Sequence, residues 1–198
     1  MRTLQLRELD MASTLDLVQQ HLGPQEIQQI SQQLGIDPTQ AQQAVDAALP
    51  AIVGGLASTA QQPGGASGIQ QLLGSHAGIL GSLGSLIGAG GAADSGILGQ
   101  VLGRHQADVN QGVQQASGLD SDRTRKLLMI LAPIVIGALA KRAMSHGAAQ
   151  TDPNQLNDVL RQDATQAQEQ ANAQGQKHVG GLLGKMLDMA YAPNLRNP

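Results

Sequence analysis

Five histidines are the side chains best suited to chemistry at neutral pH, because imidazole both binds metals and transfers protons. No two of them stand three or four residues apart, so no helix face carries a pair with the spacing of metal ligands. His105 and Asp108 are one helical turn apart, which is too small a set to hold a metal firmly. We expect isolated surface residues at all five positions: His21, His76, His105, His146 and His178.

Nucleophile and cofactor motifs are absent from the sequence. Cysteine does not occur, which excludes disulfides, thiolate catalysis and cysteine-ligated zinc. Serine is common, but there is no Gly-x-Ser-x-Gly elbow and no Gly-x-x-x-x-Gly-Lys-Ser/Thr phosphate loop. The stretch GAGGAA from Gly88 loosely resembles a dinucleotide-binding loop, but no strand precedes it. The sequence therefore predicts no catalytic residue, no cofactor and no metal, and a protein that is not an enzyme.

The basic stretch DSDRTRK is the best candidate for contact with nucleic acid. It contributes Arg123, Arg125 and Lys126 near the start of a long helix, and Lys141 and Arg142 lie near the other end. The formal net charge of −3 opposes binding to a polyanion, and a single aromatic residue offers little for bases to stack on. We interpret these cations as residues that solubilise an apolar helix. Nucleic-acid binding stays a second alternative.

The elements that position these residues are predicted to be helices. Hydrophobic residues make up 41% of the 198 residues but aromatic residues only 1%, so the core must consist of Leu, Ile, Val, Ala and Met. Ala, Leu and Gln favour helices, whereas the usual strand formers are scarce. The composition predicts an all-α, multihelical protein.

An internal duplication organises the chain. When the sequence is shifted by 83 positions, residues 34–57 (LGIDPTQAQQAVDAALPAIVGGLA) align without a gap with residues 117–140 (SGLDSDRTRKLLMILAPIVIGALA). Glycine, aspartate and proline recur at the same places, as do several apolar residues. The alignment predicts two copies of a three-helix unit, each with two short helices and a long one.

Both copies carry the same helix signals. Gly35 is predicted to close the second helix in a left-handed conformation, and Asp37 to cap the long helix. Gly118 and Asp120 have the same predicted roles in the second copy. The first short helix of each copy is predicted to end at a glycine, Gly23 or Gly103.

A proline lies inside each predicted long helix, Pro50 in LPAIVGGLA and Pro133 in APIVIGALA. Proline in a helix interior costs about 3 kcal/mol, because it removes one hydrogen bond and crowds the preceding turn. We predict a bend at each proline, and close approach of another backbone at Gly54 and Gly137, one turn later. The feature is interpreted as a packing device.

The second long helix is apolar around its whole circumference. Its inward stripe is matched in the first copy, but Met129, Ile130 and Ile134 extend the apolar character to the opposite face. Such a helix is either buried on all sides or presents the additional face to a partner. These three residues are therefore the candidate partner-binding surface.

A glycine-rich connector between the copies carries short apolar runs, which predict helices of about two turns bounded by glycine. Its small-residue spacing, as in Gly74-x-x-x-Gly78, also occurs in membrane helices. The longest apolar run, residues 127–140, has 14 residues, whereas a spanning helix needs about 20. The N-terminus has no apolar stretch typical of a signal peptide. We expect a cytoplasmic protein, and membrane association through the connector stays the first alternative.

These signals divide the chain into five regions. An N-terminal extension (1–10) precedes the first unit (11–62), the connector (63–95) and the second unit (96–146). The last region (147–198) is a polar tail that ends in a short Gly/Leu helix. The Ala/Gln-rich half of its first helix is expected to be exposed or frayed. Because a unit of about 50 residues buries little surface alone, we expect the two units to share one core.

The chain resembles a YidB-like bacterial family, domain-of-unknown-function family 937. The resemblance rests on GILGQVLG, SGLDSDRTRKLLMILAPIVIGALAKR, LPAIVGGLA and GLLGKMLD, and it covers about residues 11–190. It implies a multihelical fold in a small bacterial protein with no assigned activity, and it carries no catalytic or binding residue across. Members often end in an acidic, glycine-containing segment, whereas here Asp188 is followed by MAYAPNLRNP. We expect a non-catalytic protein that acts through protein–protein interaction or self-association.

Overall fold

The computed structural model describes residues 13–76, 78–88, 95–145 and 153–173. Every regular element in these ranges is a helix, which confirms the all-α fold predicted from the sequence. The elements in chain order are α1 (Thr14–His21), α2 (Pro24–Leu34), α3 (Pro38–Ala60), α4 (Gly65–His76), a 3₁₀ helix (Ile79–Ser82), α5 (Leu83–Gly88), α6 (Ser95–Leu102), a 3₁₀ turn (Gly103–His105), α7 (Gln106–Ser117), α8 (Ser121–Ser145) and α9 (Pro153–Ala173). The predicted N-terminal extension and the late Gly/Leu helix lie outside the described residues.

The first three helices are bounded by caps that the sequence specifies. Ser13 and Asp16 form a reciprocal capping box at the start of α1. Gly35 ends α2 with a left-handed φ of 64°, as predicted. Asp37 precedes α3 and accepts a hydrogen bond from the N–H of Gln40 at 2.9 Å. A side-chain cap of this kind contributes about 1 kcal/mol, because it satisfies an N–H group that has no partner inside the helix.

The equivalent caps are present 83 residues later. Gly118 ends α7 with φ 69°, and Asp120 accepts a hydrogen bond from the N–H of Arg123 at 2.9 Å, near the start of α8. α7 ends 83 residues after α2, and α8 begins 83 residues after α3. The individual cap predictions are confirmed, while the duplication of a whole three-helix unit stays a prediction.

Both first helices end at the predicted glycines to within two residues, but the two glycines have different conformations. Leu22 caps α1, and Gly23 has an extended conformation (φ −77°, ψ −179°) at the start of α2. The following Pro24 is the reason, because a proline disfavours helical backbone in the residue before it. Gly103 is followed by Arg104 instead, and it adopts a left-handed φ of 50° where α6 meets the 3₁₀ turn.

The two segments are intertwined around α3 and α8, which pack against each other. α1 belongs to the first segment but packs on α8, and α6 belongs to the second segment but packs on α3. Buried apolar side chains from both segments, the connector and α9 form one hydrophobic cluster. The two segments therefore share one core, as expected for short units that bury little surface alone.

The apolar circumference of α8 is explained by its central position. Ile130 and Ile134 are 1% and 0% exposed, and Met129 is partly buried against the same core. Removing each isoleucine side chain from water contributes about 1.5–3 kcal/mol. Of the two alternatives given by the sequence, burial on all sides is the one observed. The assignment of this face to a partner is corrected, since the protein's own helices cover both isoleucines.

Both prolines lie inside continuous helices, Pro50 in α3 and Pro133 in α8, and the bends stay predictions. A close approach occurs at Gly55, beside the predicted Gly54, and the neighbour is a side chain. A Cβ built on Gly55 would stand 2.5 Å from Cδ2 of Leu102. Leu102 is 0% exposed, so its side chain would have to shift within a packed core to admit a Cβ at Gly55.

The connector forms separate short elements, α4, the 3₁₀ helix and α5. Ile87 of α5 is buried in the core. The amide of Gln33 donates hydrogen bonds to the carbonyls of Ile87 and Gly88, at 2.8 and 3.2 Å, and so attaches the end of α5 to α2. The GAGGAADSG loop predicted from the sequence falls mainly on residues 89–94, outside the described ranges.

One helix in the described part of the chain, residues Ser121–Met144 in α8, is long and apolar enough to cross a membrane. Its most apolar window has a mean hydropathy of 1.9, and 83% of that window is buried inside the protein. The core helix of a globular protein has the same length and composition. The cytoplasmic location stays a prediction.

The tail helix α9 is more buried than expected. Its thin apolar stripe is buried, and so are three alanines in the half that was expected to be exposed, Ala164, Ala167 and Ala171. α9 packs along α3, where small side chains allow two helices to come close. The prediction of an exposed C-terminal half is therefore wrong, because alanine carries too little apolar area to mark a buried stripe in a sequence.

Candidate functional site

The 3₁₀ turn Gly103–His105 joins α6 to α7 and lies against the C-terminal end of α3. Leu102, directly before the turn, packs over Gly55 of α3. The hydroxyl of Thr59 donates a hydrogen bond to the carbonyl of Val101 at 3.1 Å. Contacts on both sides therefore fix the backbone that leads into the turn.

His105 is the most buried polar group of this turn. It is 3% exposed, and its Nε2 lies 2.9 Å from the hydroxyl of Ser58, which is also 3% exposed. The prediction of an isolated surface histidine is wrong at this position. A hydrogen bond to Ser58 offsets the desolvation of the imidazole, which sequence spacing cannot show because the partner lies 47 residues away.

The side chains of Ser58, His105 and Asp108 stand next to each other in the Ser–His–Asp arrangement of a catalytic triad. Their geometry, however, does not support nucleophilic catalysis. The Oδ2 of Asp108 is 3.7 Å from the Nδ1 of His105, too far for a hydrogen bond, and Nδ1 has no hydrogen-bond partner. A nucleophile must also reach its substrate, and the Ser58 side chain is covered by the core. The hydrogen bond between Ser58 and His105 instead attaches the 3₁₀ turn to α3.

A groove of about 370 Å³ opens on the outer side of the same turn. We call it the arginine groove, and its lining residues are Arg104, Gln106, Ala107, Asn110 and Arg125. Arg104 comes from the 3₁₀ turn, the next three residues from α7, and Arg125 from the first turns of α8. No carboxylate is among these lining residues, and neither arginine has an ion-pair or hydrogen-bond partner among the described residues.

The three basic residues proposed for nucleic-acid contact have different surroundings. Arg123 forms an ion pair with Asp120 at 3.1 Å and donates from Nε to the carbonyl of Leu34 at 3.1 Å, so it joins the start of α8 to the end of α2. Arg125 lines the arginine groove, and Lys126 is exposed. All three side chains are exposed near the start of α8, but only Arg125 lines the arginine groove.

A second polar cluster is buried at the far end of α8. Arg142 forms an ion pair with Asp163 of α9, and the side chains are 5% and 1% exposed. Asp163 also accepts hydrogen bonds from the hydroxyl and the N–H of Thr14 in α1. Burial raises the pKa of Asp163 above its ordinary value, and the Arg142 charge and the Thr14 hydrogen bonds offset this only in part. The cluster connects three helices and corrects the view of Arg142 as a surface cation.

Two further grooves have mixed or weakly acidic linings. The larger, about 560 Å³, lies along α9 and is lined by Asp158, Arg161, Gln162, Thr165, Gln166 and Glu169. A smaller one of about 280 Å³ is lined by Gln19, Leu22, Gln42, Val45 and Asp46. In the ranges that the structure describes, no group of three or more His, Asp or Glu side chains could hold a metal. The arginine groove is therefore the most positively charged of these grooves.

Sequence reasoning found one of the two arginines of the groove and missed the other. Arg125 stood out because it lies in a basic run, whereas Arg104 is isolated between Gly103 and His105. The missed signal is the left-handed Gly103, which redirects the chain after α6 and places Arg104 beside the start of α8. Asp163 was missed because its partners lie 21 and 149 residues away.

Comparison with known proteins gives a family but no relative with an assigned role. No curated protein and no solved structure matches the chain. The model of a family described as bacterial protein of unknown function (DUF937) matches residues 16–142. This range includes all but the first two residues of α1, all of α2 to α7 and all but the last three residues of α8, and so most of the intertwined core and the whole arginine groove. The chain belongs to the bacterial DUF937 family.

Proposed function

We propose that the protein is a non-catalytic binding protein that acts through contact with another protein or through self-association, and that the contact surface is polar. One observation carries the proposal: Arg104 and Arg125 line one groove and have no carboxylate partner among the described residues. Two unpaired guanidinium groups in one groove suit recognition of a negatively charged partner, because each offers a planar set of donors.

The distribution of apolar side chains supports a polar contact. Met144 is the large hydrophobic residue that the described surface exposes, at 50%. A single exposed methionine is far from the contiguous apolar patch typical of an obligate interface. The apolar face around Ile134 that suggested a partner is part of the core.

The two alternatives from the sequence receive less support. Membrane association through the connector needs exposed apolar side chains, whereas Ile87 is 0% exposed. Nucleic-acid binding through DSDRTRK needs Arg123, which is engaged with Asp120 and with the carbonyl of Leu34. Catalysis needs access to a reactive group, and Ser58 and His105 are both covered.

The proposal is tested with the full-length chain in two steps. Light scattering after size-exclusion chromatography measures self-association, and affinity capture supplies candidate proteins whose direct binding is then titrated. We expect either a dimer or a direct complex that weakens with added salt and in an Arg104→Ala/Arg125→Ala variant. A chain that stays strictly monomeric and binds none of the captured proteins directly would refute the proposal.

A further inference from the structure

We infer that the arginine groove binds a phosphate group. The inference rests on the proposed binding role and names the chemistry that the groove recognises. The group is carried either by free inorganic phosphate or by a phosphorylated side chain of the partner.

The groove supplies more hydrogen-bond donors than a carboxylate can use. Each guanidinium has five N–H donors, and the side chains of Gln106 and Asn110 add amide groups. A carboxylate offers two acceptor oxygens and one negative charge, whereas a phosphate dianion offers three acceptor oxygens and about two negative charges to the two arginines. The pair Arg104 and Arg125 therefore matches phosphate better than carboxylate.

Asn110 lines the groove and carries one buried polar atom. Its Oδ1 is buried and has no hydrogen-bond partner. A buried polar atom without a partner costs free energy, on the order of 1–3 kcal/mol. An anion accepts hydrogen bonds and does not satisfy this oxygen, so the assignment of phosphate rests on the two arginines of the groove.

The electrostatic surroundings also favour a dianion. Asp108 and Asp122 are the carboxylates nearest in sequence to the two arginines, but neither lines the groove. Asp108 lies instead beside His105, at 3.7 Å. α7 is 12 residues long and begins in the groove, and its N-cap residue His105 makes no side-chain hydrogen bond to the helix. The positive end of the α7 dipole lies at this end of the groove, and the first-turn carboxylate of Asp108 offsets part of it.

The backbone that carries Arg104 is held in place before any ligand binds. Ser58 holds His105, Thr59 holds Val101, and Gly55 receives Leu102, so residues on both sides of Arg104 are attached to α3. A fixed backbone lowers the ordering cost of binding to that of the side chains alone.

The test uses the full-length ¹⁵N-labelled chain and inorganic phosphate as the probe. Side-chain and backbone resonances of the groove are followed during titration with sodium phosphate, against sodium chloride at equal ionic strength. We expect saturable shifts at Arg104, Arg125 and Asn110. The Arg125→Ala variant should weaken binding about tenfold or more, and Arg125→Lys should be intermediate because it keeps the charge but loses the planar fork.

Lys126→Ala is the matched control, because it removes one exposed positive charge one residue away without touching the groove. This control should bind phosphate within about twofold of the unchanged protein, as expected for a screened surface charge. Unperturbed resonances far from the groove verify that each variant is folded. Equal weakening by Lys126→Ala and Arg125→Ala would overturn the inference, since it would indicate general attraction to anions.

A phosphoserine peptide, a glutamate peptide of equal charge and a DNA duplex separate the sources. A phosphopeptide that binds more tightly than free phosphate supports a modified protein partner, and equal affinity supports the free anion. A glutamate peptide that binds as tightly as the phosphopeptide, or a duplex that binds while phosphate does not, contradicts the inference. Direct protein binding that persists without any phosphate effect leaves the proposed function intact and refutes this site alone.

Discussion

The C-terminal ends of α3 and α8 occupy equivalent positions in the predicted duplication, yet they are held in different ways. Thr59 of α3 and Arg142 of α8 are 83 residues apart, and both are polar and buried. Thr59 makes a neutral hydrogen bond to α6, the first helix of the other segment. Arg142 forms an ion pair with Asp163, which also binds α1, the corresponding helix of the first segment.

The difference between the two ends comes from what lies next to each. At the α8 end, α9 supplies the buried carboxylate of Asp163, and the buried Arg142 is its counterion. This ion pair attaches the end of α8 to α9. At the α3 end, a 3₁₀ turn lies over small and neutral side chains and leaves its arginine on the outside. The α8 end, which we call the locked end, is therefore held by a buried ion pair. The α3 end carries the unpaired arginines that we assign to ligand binding.

The largest expected effect is at the locked end. Asp163→Ala leaves Arg142 buried without a counterion, so we expect a loss of about 3–5 kcal/mol in the free energy of unfolding. Chemical denaturation followed by circular dichroism measures it. Asp158→Ala on the exposed face of the same helix is the control and should change stability by less than about 0.5 kcal/mol. A similar small effect at both positions would show that the buried pair does not hold this end.

Close packing at the α3 end is tested by Gly55→Ala. The new Cβ would meet Leu102 at 2.5 Å, so we expect a loss of about 1–3 kcal/mol. The equivalent position of α8 is Ala138, where a Cβ is accommodated in the core. Gly68→Ala in α4 is the matched control, because nothing lies within 4 Å of its Cβ, and helix propensity predicts a gain of up to about 1 kcal/mol. Equal effects in the two variants would contradict the steric explanation.

The neutral hydrogen bond beneath the turn is tested by Ser58→Ala. Removing the hydroxyl leaves the buried Nε2 of His105 without a partner, which predicts a loss of about 1–2 kcal/mol in thermal or chemical unfolding. Ser75→Ala is the control, because the Ser75 hydroxyl is exposed and bonds only to a carbonyl in its own helix. If Ser58→Ala were as mild as the control, the turn would not depend on this pair.

The pH dependence of the free energy of unfolding is a smaller effect that belongs to the α8 end, where Asp163 is buried. Burial raises the pKa of Asp163 above 3.8, whereas Arg142 and Thr14 lower it and the charge of Asp16 raises it further. The folded protein therefore takes up this proton more readily than the unfolded chain. The contribution of Asp163 to stability is full below about pH 3.8 and is lost as pH rises through the folded pKa. The stability of the unchanged protein relative to Asp163→Asn should fall across that range, and the opposite slope would contradict the assignment.

The sequence predicts local features of this fold well and long-range polar contacts poorly. The αL glycines Gly35 and Gly118 and the capping residues Asp37 and Asp120 depend on neighbours within a few residues, so their roles can be predicted from pattern alone. The central position of α8 was one of two alternatives, because an apolar circumference does not say what covers it. The pairing of Thr14 with Asp163 spans 149 residues and needed the fold.

The candidate site was predictable only in part for the same reason. Arg125 belongs to a visible basic run, but its approach to Arg104 depends on the conformation of Gly103 and on how α7 and α8 pack. Gly55 also looks no different from Gly54 in a sequence. Only the position of Leu102, which lies beyond the connector, identifies Gly55 as the place where an added Cβ would meet a neighbour.

Hydrogen–deuterium exchange of the two ends, in phosphate and in chloride at equal ionic strength, tests the central claim most directly. We predict slower exchange of backbone amides across 103–113 when phosphate is present, by up to about tenfold at roughly ten times its Kd. The amides around Arg142 and Asp163 should exchange at the same rate in both salts. Protection at both ends alike, or at neither, would contradict an account in which one end is locked and the other binds the ligand.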